Sequence, residues 1–285
     1  MTPANEPPSN TSPGDGSSFR LSVSQQERDA GRLEEGQREQ ACQIFQQQGA
    51  LWLENCFPRK LIQKVADACV DKYLTLDKKE LKKRDAIVGD RRYMVTVDIK
   101  KPFNRPDLFA NDLLMDLLRH FLTAHCRIAS FGIVAAWPGA DDQPIHLDHP
   151  PLFADQELCD QLPPYAITAV IPLVNMIPEM GPTAIWPGSH VGAGRLEKLN
   201  QLMENPNYDD AELPVARLGD VYLMDYRLIH GGKANDSNRV RPVLYLVYSC
   251  PWFRDGFNFG AQPALQIGKK QLKKIPAEHR GLFRG

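Results

Sequence analysis

The stretch Gln143–Phe153, QPIHLDHPPLF, sets His146, Asp148 and His149 within four residues and then stops on two prolines. In an extended segment, side chains two apart project from the same face, so His146 and Asp148 aim at one point while Leu147 faces away. Imidazole nitrogen with carboxylate oxygen suits a first-row metal such as iron(II) better than calcium or copper(I). Two ligands bind weakly, so a third must come from His120, His125, His149, His190, His230 or His279. His149 has the wrong parity, and Pro150 biases it towards an extended, turned-away conformation. His120 lies on an amphipathic helix and His125 just beyond it, which suits solvent-facing or structural histidines. His230 closes the run GDVYLMDYRLIHGG, read as an apolar strand that stops at a double glycine on the rim of a sheet.

The surrounding sequence supplies that sheet. RIASFGIVAAW, YAITAVIPLV, GDVYLMDYRLIH and RPVLYLVYSC are short β-branched or aromatic runs bounded by Gly, Pro, Asn and Asp. Upstream, a helix is expected to end near Gly49, followed by a strand at Ala50 to Leu53. Leu61, Ile62, Val65, Ala66 and Cys69 recur at helical spacing, as do Leu113, Leu114, Leu117, Leu118, Phe121 and Leu122. LDKKELKKRD reads as a solvated helix face or loop. Arg91, Arg92, Lys100 and Lys101 flank a strand at Tyr93 to Ile99, where they could meet an anionic substrate but read better as its solvated edge. Helices first and strands after predict an α+β, mainly β protein built on a sandwich or barrel.

With 285 residues and 42% hydrophobic content, the chain can bury a large core, and one domain from about residue 35 to 285 is expected. Residues 1–34 read as a disordered tail, since MTPANEPPSNTSPGDGSS is too polar to offset ordering. A net charge of −1 recommends neither nucleic acid nor an anionic membrane as partner. No apolar run approaches the roughly 20 residues that span a bilayer. The six cysteines are scattered without a Cys-x-x-Cys pair, which suits reduced thiols and a cytoplasmic location.

Eleven residues beyond His230 stands Arg241. GGKANDSNR is rich in turn formers, so the chain reverses there and returns as VRPVLYLVYS, aiming Arg241 behind the metal. A guanidinium fork in that place would grip the distal carboxylate of a dicarboxylate. Arg239 has the same parity, so spacing does not choose between them. A serine-histidine-aspartate triad reads poorly, since no Gly-x-Ser-x-Gly elbow is present and Ser189 has no base partner.

These pieces, with GALWLENCF and GPTAIWPGSH, make the chain resemble the phytanoyl-CoA dioxygenase family of iron(II)- and 2-oxoglutarate-dependent oxygenases over roughly Gly49 to Trp252. The resemblance implies a double-stranded β-helix, a jelly roll of two facing sheets with buttressing helices. It matches His146, Asp148 and His230 to the facial metal triad and Arg241 to the arginine holding 2-oxoglutarate. Thr183 matches a hydroxyl that helps hold the co-substrate, Gln143 a frequent glutamine before the first histidine, and His190 a supporting turn. It also implies iron(II), 2-oxoglutarate and O2, a small-molecule substrate, and hydroxylation or desaturation. Val170 falls where some acyl-CoA-using members carry tryptophan, pointing instead towards natural products or other small molecules. Asp148 fills the position that halogenases leave open, so oxygenation is expected. The rivals are a zinc hydrolase or isomerase on a cupin-like barrel and a non-catalytic jelly-roll binding module. A hydrolase has no need of the dicarboxylate grip, and a binding module has no need of three ligand-grade residues.

Overall fold

The computed structural model describes residues 18–84, 86–260 and 262–283. Its strands are β1 (Arg20–Ser22), β2 (Ala50–Glu54), β3 (Ile87–Gly89), β4 (Arg92–Thr96), β5 (Arg127–Ala136), β6 (Ala166–Pro172), β7 (Thr183–Ile185), β8 (Val221–Asp225), β9 (His230–Gly232) and β10 (Arg241–Ser249). Eight of them form one sheet in the order β1-β2-β8-β6-β10-β5-β4-β3, while β7 and β9 pair in a second. Single bridges widen the small sheet, His146 against His230 on one side and Glu212 against Ile185 on the other.

Alternation along the strands sorts side chains between two layers. From β10, Leu244, Leu246 and Tyr248 join Leu61, Ile62 and Val65 of the helix Arg59–Cys69 and Leu113, Leu114 and Leu117 of the helix Asp112–Phe121. On the opposite face Val243 packs with Val170, Tyr222 and Met224 of the large sheet and Ile185 of the small one. The result is an α+β, mainly β jelly roll whose helices buttress the outer face of the large sheet. Among the described residues, no helix is long and apolar enough to cross a membrane.

Three expectations need correction. The tail expected through residue 34 contains a strand and a helix between residues 18 and 34, and residues 1–17 lie outside the described residues. Arg20 pairs in parallel with Trp52, and Phe19 is fully buried. A capping box between Ser24 and Glu27 starts the helix Gln25–Ala30. Three apolar residues in FRLSV, at alternate positions, outweigh the polar stretch before them.

The run ending at His230 is two strands, not one. Asp225 ends β8, and its carboxylate accepts hydrogen bonds from the Arg227 backbone N–H and from its Nε at 2.9 Å and Nη2 at 2.7 Å. This closed turn carries the chain across to the small sheet, so His230 begins β9. Arg92 is the third correction. It is no solvated edge residue but 1% exposed, on the inward face of β4, with exposed Arg91 beside it.

Candidate functional site

His146 and His230 face each other across one rung of backbone, each N–H donating to the other's carbonyl at 2.9 and 3.0 Å. Asp148 follows in a bend rather than on a continuing strand. The parity expected of an extended segment holds only for this short piece, but it suffices. One donor atom from each of His146, Asp148 and His230 lies within 4.8 Å of the others.

Each imidazole is fixed from behind. His146 Nδ1 donates to the Pro144 carbonyl at 2.7 Å, and His230 Nδ1 donates to the Leu228 carbonyl at 2.9 Å. Because a carbonyl only accepts, both protons sit on Nδ1 and both Nε2 lone pairs are left for a metal. Thr168 Oγ1 donates to Asp148 Oδ2 at 2.7 Å, and Asn258 Nδ2 donates to the Asp148 carbonyl at 2.6 Å. Burial pushes the His146 ring down to about 4, the neighbouring His230 adding to it, so it is neutral as a ligand must be. At His230 burial acts in the same direction, but the charge and hydrogen bond of Asp148 outweigh it and hold the ring above its usual value. Burial would raise Asp148, yet His230 beside it at 3.5 Å keeps the carboxylate below its ordinary range. Two nitrogens of fixed tautomer and one ionised oxygen fit a first-row divalent metal.

These three groups line a cavity of about 270 Å³ that Arg241, Thr183 and Gln143 also line. Arg241 opens β10 on the large sheet, is 2% exposed, and its Nε has no hydrogen-bond partner. Arg239 lies exposed in the preceding loop, so the tie left by spacing is broken by burial. Thr183 Oγ1 shares a hydrogen bond with Tyr222 Oη at 3.1 Å. Gln143 Oε1 accepts from the Gly232 N–H at 3.1 Å. A Cβ on Gly232 would stand 2.6 Å from Gln143 Oε1 and 2.8 Å from Arg92 Nη1. The double glycine therefore lets the polar end of the cavity close up.

Arg92 and Arg241 both flank Ala136, from β4 and β10. Arg92 Nη2 donates to the carbonyls of Asp141 at 2.8 Å and Lys233 at 3.0 Å, while Nη1 has no partner. Burial pulls Arg92 down to about 10, the Arg241 charge adding to it; burial also lowers Arg241. Two neighbouring buried guanidiniums, each with a nitrogen that lacks a partner among the described residues, suit an anion.

The other histidines stand apart. His149 turns its Nδ1 to the Pro150 carbonyl at 2.7 Å and stacks edge-on to Phe253 at 5.3 Å. His190 is buried, with its ring packed against Gly49 and its Nδ1 without a hydrogen-bond partner. His120 and His125 are exposed, and His279 packs edge-on to Phe109 at 6.3 Å. Sequence reasoning favoured a solvated edge for Arg92, and it missed Thr168, Tyr222 and Asn258. Parity could have found two of them, since Thr168 shares its face with Val170 and Tyr222 with Met224. Asn258 sits in a loop that carries no periodic signal.

The model of the family described as phytanoyl-CoA dioxygenase matches residues 45–243. The dioxygenase trt7 of Aspergillus terreus is 22% identical over 214 residues, which is 72% of this chain and 71% of that one. Among solved structures, the non-heme alpha-ketoglutarate-dependent carbocyclase SnoK from nogalamycin biosynthesis aligns with a TM-score of 0.58 at 18% identity, covering 85% of this chain and 96% of its own. HygX from Streptomyces hygroscopicus, crystallised with nickel and 2-oxoglutarate, aligns at 0.55 with 18% identity, covering 75% of this chain and 87% of its own. At such identities the structural matches speak for the shared jelly roll. The family model spans most of the chain, all three metal-ligand candidates and Arg241, and on that ground the chain belongs to the phytanoyl-CoA dioxygenase family and is an enzyme of the dioxygenase class.

Proposed function

We propose that this protein is an iron(II)- and 2-oxoglutarate-dependent oxygenase that hydroxylates or desaturates a small molecule. The observation that carries the reading is one cavity with two chemically distinct ends. Two imidazoles and a carboxylate converge at one, and buried Arg241 lacks an anion at the other. His146, Asp148 and His230 hold the metal. Arg241 grips the distal carboxylate of 2-oxoglutarate, with Arg92 behind it and the Thr183 hydroxyl alongside. Gln143 closes that end against Gly232. HygX, crystallised with nickel and 2-oxoglutarate on the same fold, supports this cofactor set.

When bound, iron(II) with 2-oxoglutarate and O2 supplies a C–H oxidation coupled to decarboxylation of 2-oxoglutarate to succinate. The protein's own work is to orient. Pro144 and Leu228 fix the tautomers, Thr168 fixes the carboxylate, and apolar walls such as Val170 and Met224 keep water from the co-substrate. Asp148 fills a metal position with a negative charge, which disfavours a halide there and supports oxygenation over halogenation. A zinc hydrolase would leave the buried guanidinium of Arg241 without a role. The six free thiols support a cytoplasmic setting.

The test is succinate formation and product mass with iron(II), 2-oxoglutarate and excess chloride. Products gaining one oxygen or losing two hydrogens are expected, with activity abolished in His146→Ala and His230→Ala. A chlorinated product, or turnover retained in His230→Ala, would sink the reading.

A further inference from the structure

We infer that the substrate is an uncharged, largely apolar molecule whose single oxygen function, a ketone or hydroxyl, is gripped by Tyr245 and Ser130. The inference rests on the oxygenase reading above and concerns the part of the cavity that 2-oxoglutarate would not fill. Arg241 marks the co-substrate end. Tyr245 lies four residues on along β10, about 13 Å at the usual rise of a strand. Past the metal donors the walls are Met94 of β4, Ser130 of β5, Tyr245 and Val247 of β10, and Phe259.

Among the described residues lining the cavity, the only ionisable ones besides Tyr226 and Tyr245 are the three metal-ligand candidates and Arg241. A substrate bearing an ammonium, phosphate or carboxylate would leave that charge unpaired against apolar walls, which is strongly unfavourable.

The polar groups on the substrate side are mostly engaged. Tyr226 Oη donates to Asp255 at 3.0 Å, Thr168 serves Asp148, and Asn258 bridges Asp148 and Asp255. Ser130 Oγ and Tyr245 Oη remain, both buried and both without a partner. Buried hydroxyls find partners as a rule, so two of them on adjacent strands facing one cavity call for an oxygen from the ligand. Their placement is built in. Tyr245 pairs with Gly132 across the sheet, and a Cβ on Gly132 would stand 2.5 Å from Tyr245 Oη and 2.7 Å from its ring. Glycine there leaves room for the phenol ring to lie over β5, and Ser130 stands two residues along that strand on the same face.

The test uses the full chain loaded with nickel(II) and 2-oxoglutarate, so that no turnover occurs. Camphor is compared with its parent hydrocarbon camphane, 1-decalone with decalin, and camphor with anionic camphor-10-sulfonate, by ligand-observed NMR. Each ketone should bind about tenfold tighter than its hydrocarbon, and the sulfonate should not bind. Tyr245→Phe combined with Ser130→Ala should erase the ketone preference while hydrocarbon binding persists, and Gly132→Ala should weaken the preference by moving the phenol. The 2-oxoglutarate affinity of each variant, taken in the same samples, reports whether its site has folded. Equal binding of ketone and hydrocarbon, binding of the sulfonate, a preference surviving in the folded double variant, or no ketone binding at millimolar concentration overturns the inference. Failure of 2-oxoglutarate itself to bind the unmodified protein overturns the oxygenase reading instead.

Discussion

Arg241 and Arg239 are two positions apart and chemically identical, and burial alone separates them. Arg239 is exposed, with its carbonyl accepting from Asn235 and Ser237, whereas Arg241 is enclosed with a free Nε. Stripping one partner from a buried ion pair costs about 3–5 kcal/mol. Arg241→Ala should therefore raise the 2-oxoglutarate requirement by roughly a hundredfold or more, and Arg239→Ala should leave it nearly unchanged; titration of succinate formation against co-substrate checks both. If Arg239→Ala carries the effect, the co-substrate end is misassigned. Thr168 acts one step further out, since its hydroxyl holds Asp148 Oδ2. Thr168→Val keeps the shape but loses that bond, and metal affinity should fall about 10- to 100-fold, as is usual when a ligand's supporting hydrogen bond is removed. Calorimetric titration with nickel(II) measures it, and unchanged affinity would remove Thr168 from the site.

At the scale of elements, β1 shows how a three-residue strand with a short alternating apolar pattern holds its place. Without it β2 would be an open edge, a row of unpaired amides and carbonyls that invites association. β1 covers that edge in parallel register, and Val23 N–H adds a bond to the Glu54 carbonyl at 3.0 Å. Phe19, Leu21 and Val23 are buried, Phe19 with Trp52 and Tyr222 and the other two in the helix-side core. Phe19→Ala should cost about 3–5 kcal/mol, the range for truncating a buried aromatic. Urea unfolding monitored by tryptophan fluorescence tests this. A loss below about 1 kcal/mol would mean that β1 is dispensable to the fold. The closed turn after Asp225 is the counterpart inside the molecule, because by ending β8 it delivers His230 to the second sheet.

At the scale of the molecule, the site joins the two sheets. His230 comes from β9 of the small sheet, His146 from the segment bridged to it, and Arg241 from β10 of the large sheet facing them. A metal with 2-oxoglutarate would tie these layers together, and anything that binds only the folded state stabilises it by mass action. At a hundredfold excess over the dissociation constant that amounts to about 2.7 kcal/mol, or a rise in Tm of roughly 5–10 °C for a chain of this size. Nickel(II) plus 2-oxoglutarate should produce this rise, a chelator should reverse it, and His146→Ala should abolish it. A Tm indifferent to both additions would argue against a metal at these residues.

The sequence by itself determined the local features. His-x-Asp before two prolines, the alternating runs of the four main strands and the two amphipathic helices depend on spacing over a few residues, and the structure carries each of them. Arg241 was legible as one of two because a turn-rich segment announces a reversal without stating where the next strand begins. What only the tertiary structure decided are the matters that depend on distant chain. The Asp225 turn splits a seemingly continuous strand because Arg227 closes on the carboxylate. Arg92 is buried because β5 sets it beside Arg241, and the Tyr245 ring lies over β5 because Gly132 leaves room for it. Periodicity fixes which face a side chain takes; which distant groups share that face follows only when the sheets close, since burial and unpaired charge belong to the enclosed cavity and not to any one segment.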